Sequence, residues 1–96
     1  LDRRRTSAAA AFQLQHWETA WRKLDDAYTY LLEQQERFQT RFHKGWELHN
    51  GGIALLNIQR FDEGVKGILL AYVEDALSAE PGHEDMIDGS PASSVL

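Results

Sequence analysis

The chain has 96 residues, 43% hydrophobic and 26% charged, the balance of one small globular domain. Non-specific nucleic-acid binding is fed by a positive surface, and the net charge of −5 points the other way, so no nucleic-acid partner is expected. It has no cysteine, which removes disulfides, thiolate metal sites and cysteine nucleophiles, and no apolar run long enough to span a bilayer, so no membrane partner is expected.

The first residues, Leu1-Asp2-Arg3-Arg4-Arg5, lack the apolar stretch of a secretory signal. Together with the missing cysteines, this makes a cytoplasmic location the expectation. Because the chain opens on Leu1 rather than Met, it is read as a fragment of a larger protein. Arg3, Arg4 and Arg5 form its one dense basic cluster, read as a solvated helix start or tail.

No Gly or Pro occurs between Leu1 and Lys44, and this stretch is rich in Ala, Leu, Gln, Glu and Arg, which favour helix. Trp17, Trp21, Leu24, Tyr28, Leu31, Gln35, Phe38 and Phe42 recur at alternating spacings of four and three. That spacing places them on one helical stripe, with Gln35 its only polar member. The pattern predicts one long helix over about 7–43; a break near Gln15 or near Gln34 is the alternative. Lys44-Gly45 then ends the pattern. A second helix is predicted over about 46–58, carrying Trp46, Ile53 and Leu56 on its stripe and Gly51-Gly52 in its interior. Asn57 to Arg60 reads as a short connector.

A third helix is predicted over about 61–79, with Asp62 and Glu63 in the first turn, where negative charge suits the helix dipole. Its stripe is Phe61, Val65, Ile68, Leu69, Tyr72, Val73, Ala76 and Leu77, and Pro81-Gly82 closes it. The last two helices should pack antiparallel. Residues 1–80 read as one helical domain, and 81–96, acidic and then small and polar, as a disordered tail or linker.

The stretch from Trp46 to Tyr72 resembles a tetratricopeptide repeat. Gly52 stands where that family places a small residue on the first helix, and Leu55 where it places the following large one. Phe61 matches the aromatic that ends the turn, and Gly64, Ile68 and Ala71 match the small, bulky and small positions of the second helix. Trp17, Ala20, Leu24 and Ala27 repeat the spacing of Phe61, Gly64, Ile68 and Ala71, which looks like the second helix of a preceding repeat. The sequence departs from the family in three ways: the first helix of that earlier repeat is short or missing, the proline comes late at Pro81, and the second helices are long. The resemblance implies an all-α fold, a long amphipathic helix followed by an antiparallel hairpin, whose function is to dock a peptide or another protein.

Chemistry is sparse. The histidines His16, His43, His49 and His83 include no pair at the spacing of a helical metal site, and no metal or cofactor is expected. His49 reads as a structural, hydrogen-bonded histidine. Glu80, His83 and Glu84 are separated by Pro81-Gly82 and read as solvated. Glu74-Asp75, unfavourable near a helix C-terminus, reads either as exposed or as the partner of a cation such as Arg41 or Lys44.

Arg37 followed by His43 resembles the pair of the helical RNA-cleaving HEPN domains, with Phe38 in place of the usual polar residue. That resemblance implies an alternative function as an RNA-cleaving domain using Arg37 and His43. The leading expectation is a protein-interaction or assembly module without enzymatic activity. Its docking face would be the open side of the second helix: Lys44, Trp46, Glu47, His49, Asn50 and Asn57. The stripe of the 7–43 helix outruns what two short helices can cover, so part of it is expected to be buried by a second copy, a neighbouring repeat or a partner, with a homodimer through the long helix as the favoured reading.

Overall fold

The computed structural model describes residues 1–78; the predicted tail over 81–96 and the closing Pro81-Gly82 lie outside them. The described chain is all-α, with four helices: α1 (Asp2–Gln13), α2 (Trp17–Phe38), α3 (Gly45–Asn57) and α4 (Phe61–Ser78). Each packs on the next in chain order, α1 on α2, α2 on α3 and α3 on α4. The predicted helices at 46–58 and 61–79 are present with ends shifted by about a residue.

The single helix expected over 7–43 is not formed. The chain reverses at Leu14–His16, where the alternative reading put a break, and α2 stops at Phe38. The segment before the break is a helix of its own because Ala8–Ala11 favour helix and are small enough to let α1 lie close on α2. Ala8 and Ala11 are buried, and Ala11, Ala20 and Ala54 meet at the common core of α1, α2 and α3. Phe12 closes the hairpin edge-on against the Trp17 ring, centroids 5.0 Å apart.

The reversal uses a left-handed residue at the helix end, Gln15 at φ 60°. The Gln15 N–H donates to the Phe12 carbonyl (2.9 Å) and the His16 N–H to the Ala11 carbonyl (3.0 Å), satisfying carbonyls the helix leaves open. The α3–α4 turn repeats this bond for bond. Gln59 is left-handed at φ 66°, its N–H donates to Leu56 (3.1 Å), and the Arg60 N–H donates to Leu55 (2.9 Å). Correspondence holds at one constant offset: Ala8 to Gly52, Ala11 to Leu55, Gln15 to Gln59, Trp17 to Phe61, Ala20 to Gly64, Leu24 to Ile68 and Ala27 to Ala71. The described chain is therefore two helical hairpins joined by the loop 39–44.

Within the second hairpin the helices nearly touch. A Cβ on Gly52 would sit 2.7 Å from the Gly64 carbonyl oxygen and 2.9 Å from Ile68, and one on Gly67 would sit 3.1 Å from the Leu48 carbonyl oxygen. The expected approach of Gly52 to Gly64 and Ile68 is thus found. Between hairpins, Gly51 lies over Leu24, and the Arg60 guanidinium stacks 4.3 Å from the Trp21 ring centroid.

This packing removes the surface expected to form a homodimer. Leu24 and Leu31, with Ala20 and Ala27 beside them, are buried by α1 and α3 of the same chain. Of the predicted stripe only Phe38, at its far end, is left well exposed. A 36-residue helix would have needed a partner along its length; a hairpin folds back and covers itself.

Candidate functional site

The six residues expected to form a docking face on α3 do not form one. Lys44, Glu47 and Asn50 are buried, Trp46 and His49 half-buried, and only Asn57 is exposed. Long-range partners account for this. Glu47 receives the Arg5 guanidinium of α1 through Nε (2.6 Å) and Nη2 (3.2 Å), and the same guanidinium stacks on the Trp46 ring. The Asn50 and Asn57 amides, expected to meet a peptide backbone, donate instead to carbonyls of their own helix, Trp46 and Ile53, each at 2.9 Å. The basic cluster is likewise not simply solvated: Arg4 lies over the Tyr30 ring and 3.3 Å from Asp26.

Lys44 belongs to a polar junction that ties loop 39–44 to the last turns of α2 and α4. Its backbone N–H donates to Glu74 Oε1 (2.9 Å), and its Nζ donates to Gln35 Oε1 (2.9 Å) and the Phe42 carbonyl (2.7 Å) and lies 3.3 Å from Glu74. Arg41 adds an ion pair to Glu74 at 3.2 Å. Glu74 is 8% exposed, so of the two readings of the acid pair the cation-bound one describes it. Gln35, the polar member of the α2 stripe, sits there to accept from the loop, including the Phe42 N–H at 3.3 Å.

His43 is committed to the same junction. Its Nδ1 accepts the Gly45 N–H at 3.3 Å, and its Nε2 faces Asp75 Oδ1 at 3.1 Å. With both ring nitrogens engaged, neither is presented to a substrate. Arg37 lies in the last turn of α2 with its guanidinium over the Phe38 ring, so its contacts do not join it to His43. The HEPN-like pairing finds no support in this geometry. His49 has its Nδ1 buried without a hydrogen-bond partner, which corrects the reading of a satisfied structural histidine. Burial lowers its pKa, partly offset by Asp75. Burial, then Glu74 and Asp25, raise that of Tyr28.

The feature that sequence reading merged into one stripe is the outer face of α4. Small residues, Gly64, Gly67 and Ala71, make the contact with α3, with Ile68 beside them. The large apolar residues are therefore left outside. Phe61, Val65, Leu69, Val73 and Leu77 follow one another at intervals of four and form a single ridge along the whole helix. Leu69 is 60% exposed, Phe61 58% and Val73 51%, and Tyr72 and Leu70 flank the ridge, also exposed.

At the same register α2 carries Trp17, Trp21, Asp25, Thr29 and Glu33. The two tryptophans are half-buried and the three polar residues exposed. A signal was present in the sequence: the α4 stripe is wider than the roughly 100° arc that one neighbour can cover.

A groove of about 260 Å³ also lies over α3, walled by Trp21, Asp25 and Tyr28 of α2 and by Glu63, Lys66 and Leu70 of α4. Among the described residues no group of three or more His, Asp or Glu side chains could hold a metal ion, and no helix is long and apolar enough to cross a membrane. No protein-family model, no curated protein and no solved structure matches the chain.

Proposed function

We propose that this chain is a protein-interaction or assembly module of the tetratricopeptide-like kind, and that its docking surface is the outer face of α4. The carrying observation is the continuous ridge Phe61-Val65-Leu69-Val73-Leu77, large, apolar and uncovered. Isolated exposed apolar residues are ordinary; a helix-long apolar ridge marks a surface that another protein covers. The repeated hairpin supports the reading in a second way. The α3–α4 glycine contact and the paired turns follow the small-residue logic by which helical repeats stack, and each stacked hairpin leaves a face for its neighbour. The partner this surface suits is a helix with an apolar face, not the extended peptide expected for α3.

The test is a double substitution, Leu69→Asp with Val73→Asp, in tagged full-length chain. Both side chains are exposed, so helicity by circular dichroism should be unchanged while complexes formed in extract of the source cell shrink to free chain on size exclusion. Asp25→Ala, at the equivalent position of α2, should leave them intact. Complexes of unchanged size with the double variant would remove α4 as the docking surface.

A further inference from the structure

We infer that the seam between α1 and α2 holds a binding site for the dianionic phosphate group of a small phosphomonoester. Its frame follows from helical spacing. Arg3 and Ser7, four residues apart, share a face of α1, and Lys23 and Asp26, three apart, share a face of α2. The packing of α1 on α2 brings these faces together, with Arg4, around a cavity of about 230 Å³. That is space for several water molecules, and so for one tetrahedral anion and its first ester carbon.

The donors lining this cavity are unengaged. The chain has ten lysines and arginines. Most have carboxylate partners: Arg5 with Glu47, Arg22 with Glu18, Arg60 with Glu63, and Arg41 and Lys44 with Glu74. Among the described residues, Arg3, Lys23 and Lys66 are the cations whose side chains make no hydrogen bond, ion pair or ring contact. Arg3 and Lys23 both line the cavity, and the Ser7 hydroxyl beside them is equally unengaged. Lys23 is half-buried, so its charge is partly withdrawn from water with no carboxylate opposite it. Asp26, one helical turn away, turns instead to Arg4 at 3.3 Å.

Charge fixes the class of ligand. Three cations against one carboxylate leave the cavity an excess of two positive charges, in a chain whose net charge is −5. A carboxylate ligand matches one of them, and a phosphomonoester dianion matches both. Guanidinium forks and an ammonium are the donors that suit its oxygens, and a hydroxyl adds a neutral one. A polynucleotide needs a row of cations, whereas at this seam they converge on one cavity.

Titration of the full chain with methyl phosphate, followed by phosphorus NMR at constant ionic strength, tests the site. Methyl phosphate should bind saturably at alkaline pH, where it is a dianion. Dimethyl phosphate, the same group with one charge, should bind about tenfold more weakly. Lys23→Ala and Arg3→Ala should each weaken methyl phosphate about tenfold, with helicity unchanged. Arg3 is exposed, so its variant reports even if that of Lys23 unfolds. Asp26→Asn should tighten binding, because it removes the repulsive charge and releases Arg4. Lys66→Ala makes the same change in net charge on α4 and should leave binding unaltered. Equal losses in Lys23→Ala and Lys66→Ala would mean diffuse attraction to the whole chain and overturn the inference. So would binding that survives both Arg3→Ala and Lys23→Ala, dimethyl phosphate bound as well as methyl phosphate, or no saturable binding by the parent chain.

Discussion

The two hairpins share a turn and a register and differ in what they show to solvent. In the first, α2 is clasped between α1 and α3, and where its outer ridge emerges it carries Asp25, Thr29 and Glu33. In the second, α4 packs on α3, with loop 39–44 tied to its last turns, and at the same positions it carries Leu69, Val73 and Leu77. Where one framework is used twice, the framework does not dictate the outer face. An apolar ridge confined to one copy is a property of that copy, and it is the observation on which the proposed docking surface rests.

The largest expected effect separates the inner and outer faces. Leu24, 1% exposed, should cost about 2–5 kcal/mol on substitution by alanine, because a cavity opens where α2 meets its neighbours. Leu69→Ala, at a concentration where the chain is monomeric, should stay within about 0.5 kcal/mol of the parent. Denaturant midpoints of both variants measure the contrast, and equal losses would mean that α4 is covered within its own chain.

A smaller effect tests the difference in closeness between the hairpins. The first accepts alanine at position 8, where the second has Gly52. Gly52→Leu should lower stability by about 1–3 kcal/mol, because its first carbon already meets backbone oxygen at 2.7 Å. An unchanged midpoint would show that α3 and α4 can separate at no cost.

The turns offer a gain in place of a loss. Gln15 and Gln59 occupy a backbone region that glycine enters without penalty. Gln15→Gly and Gln59→Gly should each raise stability by about 0.5–1 kcal/mol, and by similar amounts if the turns are equivalent. Thermal melts would check this, and a loss at Gln15 alone would argue for a continuous helix through that position.

The least expected effect is on pH dependence. Burial holds the His49 pKa below its ordinary 6.5 in the folded chain, so between the two values the unfolded chain binds the extra proton. The stability linked to His49 is full above the unfolded value and lost as pH falls toward the folded one. His49→Gln should therefore weaken the drop in denaturant midpoint between about pH 7.5 and pH 5.5. An identical drop in both proteins would assign the acid sensitivity elsewhere.

The parts of this fold that could be read in the sequence are those set by local pattern. The span of α4 was legible from its first-turn acids and apolar repeat, and the Gly52–Gly64 contact from the spacing of small residues. The reversal at Gln15 was not. Glutamine is a good helix former, and nothing in its chemistry advertises a left-handed helix end, where glycine or asparagine would have. The helix before it was equally hidden, because Ala8 and Ala11 bury by smallness rather than by the large side chains that make a visible stripe.

The burial of the residues expected on the open side of α3 was hidden for a different reason. Lys44, Glu47 and Asn50 have the chemistry of a surface, and only partners far along the chain, Arg5 for Glu47 and Glu74 for Lys44, carry them inside. Local pattern places residues on a helix face; which face is covered depends on contacts between residues remote in sequence.

The proposed docking surface is the outer face of α4, and not the same register of α2 or the outer edge of α3. A photo-reactive phenylalanine analogue placed singly at Leu69, Asp25 or Asn57 of the full chain tests it most directly, by irradiation in extract of the source cell. All three positions are exposed, so each probe can report without disturbing the fold. Cross-linked products at Leu69, to a second copy or to another protein, with none at Asp25 or Asn57, are the expected result. Products from Asp25 or Asn57 with none from Leu69 would contradict it.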